Sequence, residues 1–262
     1  MRGGKIIDRP ISLATFFTPN LLNNASFETD WNGFLDYGSG PPSNGVIRST
    51  AFAYAGIYSA EFAWTANNPT DGGCQMEYNF GAYDRIWLRF YFRVTNKITT
   101  TWKWARFGDQ SDLNFGGLWF EKDGGGTSGN GMIDWGWDAS ENSAIITTIG
   151  LTEAQVVDSA WHSIEYEYWR NGDPSGWPSA AFWFDGNPQY AELNGHSTVK
   201  YYGAGNVSYW DAAGRLQAGE RGSSTLKPRF LRFMGTLNQD NTTSGQCNID
   251  RVAISTLGRI GL

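Results

Sequence analysis

Arg89, Tyr91 and Arg93 alternate with Leu88, Phe90 and Phe92 in the stretch Ile86–Val94, and the alternation is nearly unbroken. Side chains point to opposite faces of a strand with period two, so one face is apolar and the other carries Trp87, Arg89, Tyr91 and Arg93. A solvated sheet face usually carries Thr, Ser, Lys and Glu. Tyr, Trp and Arg together are side chains that stack on rings and hydrogen-bond hydroxyls or acids. The same parity sets Glu165, Glu167 and Trp169 against Ile164, Tyr166 and Tyr168, Trp183 and Asp185 against Phe182 and Phe184, and Trp119 and Glu121 against Leu118 and Phe120. If the apolar sides meet in one core, the outer face gathers Arg89, Tyr91, Arg93, Trp119, Glu121, Glu165, Glu167, Trp169, Trp183 and Asp185. Plain cross-strand Arg–Glu pairs would each contribute only ~0.2–1 kcal/mol. Aromatic rings clustered on an outer face favour a binding surface instead.

Two of these groups also suggest acid–base chemistry. Retaining glycosidases use carboxyls about 5–5.5 Å apart, and Glu165 and Glu167, as alternate residues of one strand, are roughly 6.5–7 Å apart along the backbone. An elimination would instead need a neutralising Arg with a Tyr base, for which Arg89 and Tyr91 are the candidates. An enzymatic reading therefore rests on Arg89, Tyr91, Glu165 and Glu167. Of the two histidines, His162 has inward parity, which suits a structural role, and His196 falls in a long loop.

The elements that must hold these residues are strands. The chain has 262 residues, with 33 Gly, 13 Trp, 12 Tyr and 16 Phe but only 18% charged residues, a profile of short strands and tight turns around an aromatic interior. Strand-like runs are expected at 26–28, 57–64, 74–80, 85–94, 101–107, 117–121, 132–137, 144–149, 161–169, 180–185, 229–235 and 249–255. Gly, Pro, Asn and Asp clusters separate them. The single helix signal is Thr152–Gln155. Residues 187–228 read as a long Gly-rich excursion over a sheet edge. A dozen strands with almost no helix make an all-β, two-sheet antiparallel sandwich spanning 21–262 as one domain, with under about a tenth of residues helical.

Residues 1–20 read as an extended arm, with a short edge strand possible at Leu13–Phe17. Arg2, Lys5 and Arg9 are cations on a chain of net charge −6, and Pro10 disfavours helix. No uninterrupted apolar run of about 7–15 residues suggests a secretory signal, and none approaches the ~20 residues of a membrane span. The acidic balance gives no nucleic-acid or membrane footprint. Cys74 and Cys247 both lie in strand-like contexts, so one bridge or two semi-buried thiols are both open.

Several stretches resemble known families. The opening Asn20–Phe34, with Asn23, Ser26, Phe27 and Glu28 at its centre, resembles the first motif of jelly-roll carbohydrate-binding modules and of phage tail and virion proteins. Ile249–Ser255 resembles their closing strand, with Arg251 in place of a second acid. Ile86–Val94, Trp161–Tyr168 and Phe182–Gly186 resemble the concanavalin A-like superfamily of lectins, laminin-G-like domains, polysaccharide lyases and glucanases. The resemblance implies a jelly-roll sandwich whose concave outer face holds polysaccharide, and it implies a structural Ca²⁺ on Glu28 and Asp250. For Asp250, a salt bridge to Arg251 is the competing expectation. The first acid of the glucanase Glu-x-Asp-x-Glu pattern is missing before Glu165, and the lyase motifs are absent.

The expectation is thus a non-enzymatic, lectin-like virion protein, either a capsid decoration or tail-associated. It would assemble in the host cytoplasm as a homo-oligomer and dock on other subunits through its arm. The alternative is an extracellular lyase or glycosidase acting on an acidic polysaccharide.

Overall fold

In the computed structural model, β5 (Arg85–Val94) runs through the middle of the larger sheet, and its alternation is what binds the sandwich together. The structure describes residues 21–35, 46–64, 75–95, 102–108, 114–121, 132–138, 144–148, 153–169, 179–189, 199–201, 216–217, 227–237 and 245–262. The arm, its Leu13–Phe17 segment and Cys74 lie outside them.

Before β5 come β1 (Leu21–Ala25), β2 (Val46–Ser49), β3 (Ser59–Trp64) and β4 (Gln75–Asn79). After it come β6 (Trp102–Gly108), β7 (Asn114–Glu121), β8 (Met132–Asp138) and β9 (Ala144–Thr148), then the four-residue helix α1 (Glu153–Val156). The chain continues through β10 (His162–Trp169), β11 (Ser179–Phe184), β12 (Asn187–Gln189), β13 (Val199–Tyr201), β14 (Leu216–Gln217), β15 (Phe230–Leu237) and β16 (Gly245–Ser255). A nine-stranded sheet runs β12-β11-β10-β5-β16-β3-β2, with β1 added on β16 and β14 on β11. A seven-stranded sheet runs β13-β9-β8-β7-β6-β15-β4. All pairings are antiparallel. The fold is an all-β, two-sheet jelly-roll sandwich of concanavalin A-like type.

The sheets meet through apolar faces, as sandwich packing requires. Leu88, Phe90 and Phe92 of β5 and Ile164 and Tyr166 of β10 are buried together with Leu231 and Phe233 of β15, Met76 of β4 and Ala105 of β6. Phe90 meets Phe233 edge-on across the sheets at 5.0 Å. Phe184, expected in this core, sits at its rim and is partly buried, and the Phe182 side chain lies outside the described residues. Among the described residues no helix is long and apolar enough to cross a membrane.

Three local departures from the expected pattern have physical causes. The opening strand is Leu21–Ala25 rather than 26–28, because Phe27 turns out of it at φ 58°. That turn is held by side chains: Asn32 Oδ1 accepts the Phe27 amide, and Arg48 donates to the Phe27 and Glu28 carbonyls. In β16 the register slips by one residue between Asp250 and Ala253, with Arg251 at φ 49°. A bulge inserts one unpaired residue, so Asp250 and Ala253 both face outward while Ile249, Val252 and Ile254 stay buried in the core. Short strands β12, β13 and β14 fall within the 187–228 segment expected to be loop, and β2 was not anticipated.

Candidate functional site

The outer face of the nine-stranded sheet carries most of the residues singled out by parity. Glu165 of β10 pairs in register with Arg89 of β5 on one side and Trp183 of β11 on the other, and Ser163 pairs with Tyr91. Arg93, Glu167, Trp169 and Asp185 complete the group on the same sheet. Trp119 and Glu121 do not join it. They belong to β7 of the seven-stranded sheet, where Trp119 pairs with Lys103 and Asp134. Parity fixes which face of its own strand a residue takes, and carries no information about which sheet that strand enters.

The face is not wet. Two segments outside the strands lie over it and divide it into two halves. Over the first half runs the C-terminal strap 256–262. Glu165, only 4% exposed, accepts hydrogen bonds from Arg259 Nε at 2.8 Å and from the Ile260 and Gly261 amides at 2.5 and 3.1 Å. The Gly261 carbonyl accepts from Arg89 Nη1 at 2.8 Å. Arg259 also stacks over Trp183, and Ile260 is buried with Trp87 and Ala253. Beside it, Glu167 pairs with Arg85, whose guanidinium lies 4.4 Å from the Trp87 ring and 4.3 Å from the Trp169 ring. Each carboxylate is therefore matched by a cation or amide, as buried charge demands.

The second half is aromatic and is covered by the loop 50–58. Tyr54 stacks on Tyr91 at 3.7 Å with an interplanar angle of 16°, and Trp161 meets Tyr54 edge-on at 5.9 Å. Phe52 lies over Arg93 at 3.6 Å, while Arg93 Nε donates to the Ser159 carbonyl. Burial and a hydrogen bond with Tyr54 push the Tyr91 hydroxyl up to about 12. At the edge of this half, His162 sits between two carboxylates, Asp185 at Nδ1 (2.8 Å) and Asp158 at Nε2 (3.1 Å), with its ring stacked on Phe184. Its inward parity is as expected, and its role is to join the 157–161 segment to the Asp185–Gly186 turn. That turn has φ 47° and 77°, the positive values a two-residue hairpin requires.

Glu28 and Asp250 anchor the 50–58 loop. Glu28 accepts the Ile57 and Tyr58 amides, and Asp250 accepts the Tyr54 and Ala55 amides through one oxygen and the Arg251 amide through the other. Gly56, at φ 88°, lies against the Glu28 carboxylate where a Cβ would collide. A Ca²⁺ site needs converging oxygen donors; in this structure the groups that point at both carboxylates are backbone N–H groups. Among the described residues no group of three or more His, Cys, Asp or Glu side chains could hold a metal.

Asp250 is also expected to shape stability against pH. Burial, opposed by its amide hydrogen bonds, raises it from 3.8 to about 6. The folded state then binds this proton more tightly than the unfolded chain. The resulting contribution is fully present below about pH 4 and is lost as pH rises through about 6, an effect of up to about 3 kcal/mol. Between pH 4 and 7 the stability of the wild type, measured by denaturant melts, should fall relative to that of Asp250→Asn by about 2–3 kcal/mol. Parallel pH dependences would contradict it.

Phe52, Tyr54, Trp161 and Arg259 were not among the residues singled out from sequence. The available signal was Ala51–Gly56, where two large rings alternate with small residues outside any strand.

No family model matches the sequence, and no curated protein does. Solved structures do match. A cellulose-induced protein, Cip1, superposes with a TM-score of 0.54 at 13% identity over 91% of this chain and 99% of that one. A botulinum neurotoxin type C structure, from work reporting cell entry dependent on two ganglioside molecules, gives 0.52 at 7% identity over 90% of this chain and 48% of that one. The binding domain of Paraclostridial mosquitocidal protein 1 gives 0.50 at 11% identity, with 90% and 49% covered. This chain thus spans about half the length of the two toxin chains. Likeness at these identities establishes the fold: a jelly-roll sandwich of concanavalin A-like architecture, a fold that hosts many unrelated sites.

Proposed function

We propose that the chain is a non-enzymatic, lectin-like domain that binds polysaccharide on the outer face of its nine-stranded sheet. The observation that carries this reading is the contrast between the two halves of that face. The groups that would do chemistry are held in internal pairs, while the rings of Phe52 and Tyr54 remain 37% and 45% exposed. Glu165 and Glu167 are buried against Arg259 and Arg85, so a scissile bond has no room between them. Tyr91, held near 12, is far from the near-neutral value that suits a general base. Flat rings beside polar groups are what a sugar uses, its C–H face on the ring and its hydroxyls on the acceptors. The fold shared with a neurotoxin whose cell entry depends on gangliosides is in keeping with a glycan ligand. The test is affinity electrophoresis in gels containing a panel of polysaccharides, run beside reducing-end and unsaturated-product assays. Retardation without product formation is expected; product release would favour the lyase or glycosidase alternative.

The finer reading is that this domain is carried on a virion, as a capsid decoration or tail-associated protein. It rests on the resemblance of Asn20–Phe34 to phage openings and on the basic, Pro-containing arm 1–20, a composition suited to a segment that orders on a neighbouring subunit. Deleting residues 1–18 should abolish incorporation into particles and leave the melting temperature unchanged. A large drop in melting temperature would instead make the arm part of its own sandwich.

A further inference from the structure

We propose that Tyr54 is the platform of a glycan subsite at the aromatic end of the outer face, and that its ligand is a neutral hexopyranose. The inference rests on the lectin-like reading above and adds where the sugar sits and which sugars are taken.

Tyr54 is supported on one side and open on the other. One face of its ring lies flat on Tyr91 at 3.7 Å, Trp161 closes one edge, and the residue is still 45% exposed. Its backbone does not have to be ordered by a ligand, because the Tyr54 and Ala55 amides are already bonded to Asp250. A ring fixed before binding spares the ordering cost that weakens loop-borne sites.

Charge around the platform selects the sugar. Two carboxylates beside it remain open to solvent, with the Asp158 and Asp185 side chains 40% and 41% exposed. Asp185 is close enough to Tyr91 to act on its hydroxyl electrostatically. Two of the neighbouring guanidiniums are partly engaged. Arg93 spends Nε on the Ser159 carbonyl and its planar face on Phe52, and its Nη1 is buried. Arg89 spends Nη1 on the Gly261 carbonyl, and its Nε is buried. Carboxylates accept from sugar hydroxyls and repel sugar acids. A neutral ring is therefore favoured over a uronate.

The experiment is affinity electrophoresis of the intact chain in gels containing galactomannan or mixed-linkage glucan, against gels containing alginate or polygalacturonate. The wild type should be retarded by at least one neutral glycan and by neither polyuronate. Tyr54→Ala should weaken that retardation about tenfold or more with far-ultraviolet circular dichroism unchanged, and Tyr54→Phe, which keeps the ring, should retain it. Neutral-glycan binding that persists in Tyr54→Ala overturns the subsite and leaves the lectin-like reading standing. Retardation by polyuronates alone overturns the ligand class, and no retardation of the wild type by any polysaccharide overturns both the subsite and the reading it rests on.

Discussion

Replacing Phe90 with Ala is expected to destabilise the domain by about 3–5 kcal/mol, the range for truncating a buried Phe. Phe90 is fully buried, lies in register with Ile164, and is the β5 ring that meets Phe233 across the sheets at 5.0 Å. Its removal leaves a void where the two layers touch, and close-packed neighbours only partly collapse into it. Urea melts of the two proteins measure the cost. A loss below about 1.5 kcal/mol, the figure for well-tolerated repacking, would mean that the sheets do not meet at this strand.

Deleting residues 257–262 should cost about 2–4 kcal/mol. The estimate combines burial of Ile260 against Trp87 and Ala253, worth ~1.5–3 kcal/mol, with the amide hydrogen bonds to Glu165, worth about 1 kcal/mol each. Rehydration of the Glu165 carboxylate offsets part of the loss. The strap supplies every hydrogen bond described for Glu165 and one for Arg89. A melting temperature unchanged by the deletion would show that the strap is no part of the folded layer.

These two expectations differ in how far the sequence alone could reach them. Phe90 was placed in the core by alternation, because the period-two pattern of Ile86–Val94 is local and survives in the fold. The same pattern placed Arg89, Tyr91, Glu165, Glu167 and Trp183 on one outer face, and the register of β5, β10 and β11 shows them there. What alternation could not convey was the cover over that face. The strap reaches Glu165 across 95 and 96 residues of chain, and the Tyr54 loop reaches Asp250 across 196. Contacts of that separation leave no local periodicity to read. The same is true of Trp119 and Glu121, whose strand joins the other sheet through pairing with β6 and β8.

The resemblance of the opening and closing motifs was informative in a different way. Phe27–Glu28 and Asp250–Arg251 are both places where the backbone leaves regular strand geometry, one at φ 58° and the other at a bulge. Each geometry turns a carboxylate toward the 50–58 loop. The resemblance implied calcium on those acids; in the structure both accept backbone amides of the loop that carries Tyr54.

Hydrogen–deuterium exchange of the intact chain, with and without an oligosaccharide cut from whichever polysaccharide retards it most, tests the central claim most directly. Protection concentrated in residues 50–58 and 157–162, with the seven-stranded sheet unchanged, is the result this account predicts. Protection confined to β6, β7 and β8, with 50–58 unaffected, would place the glycan on the opposite face and contradict it.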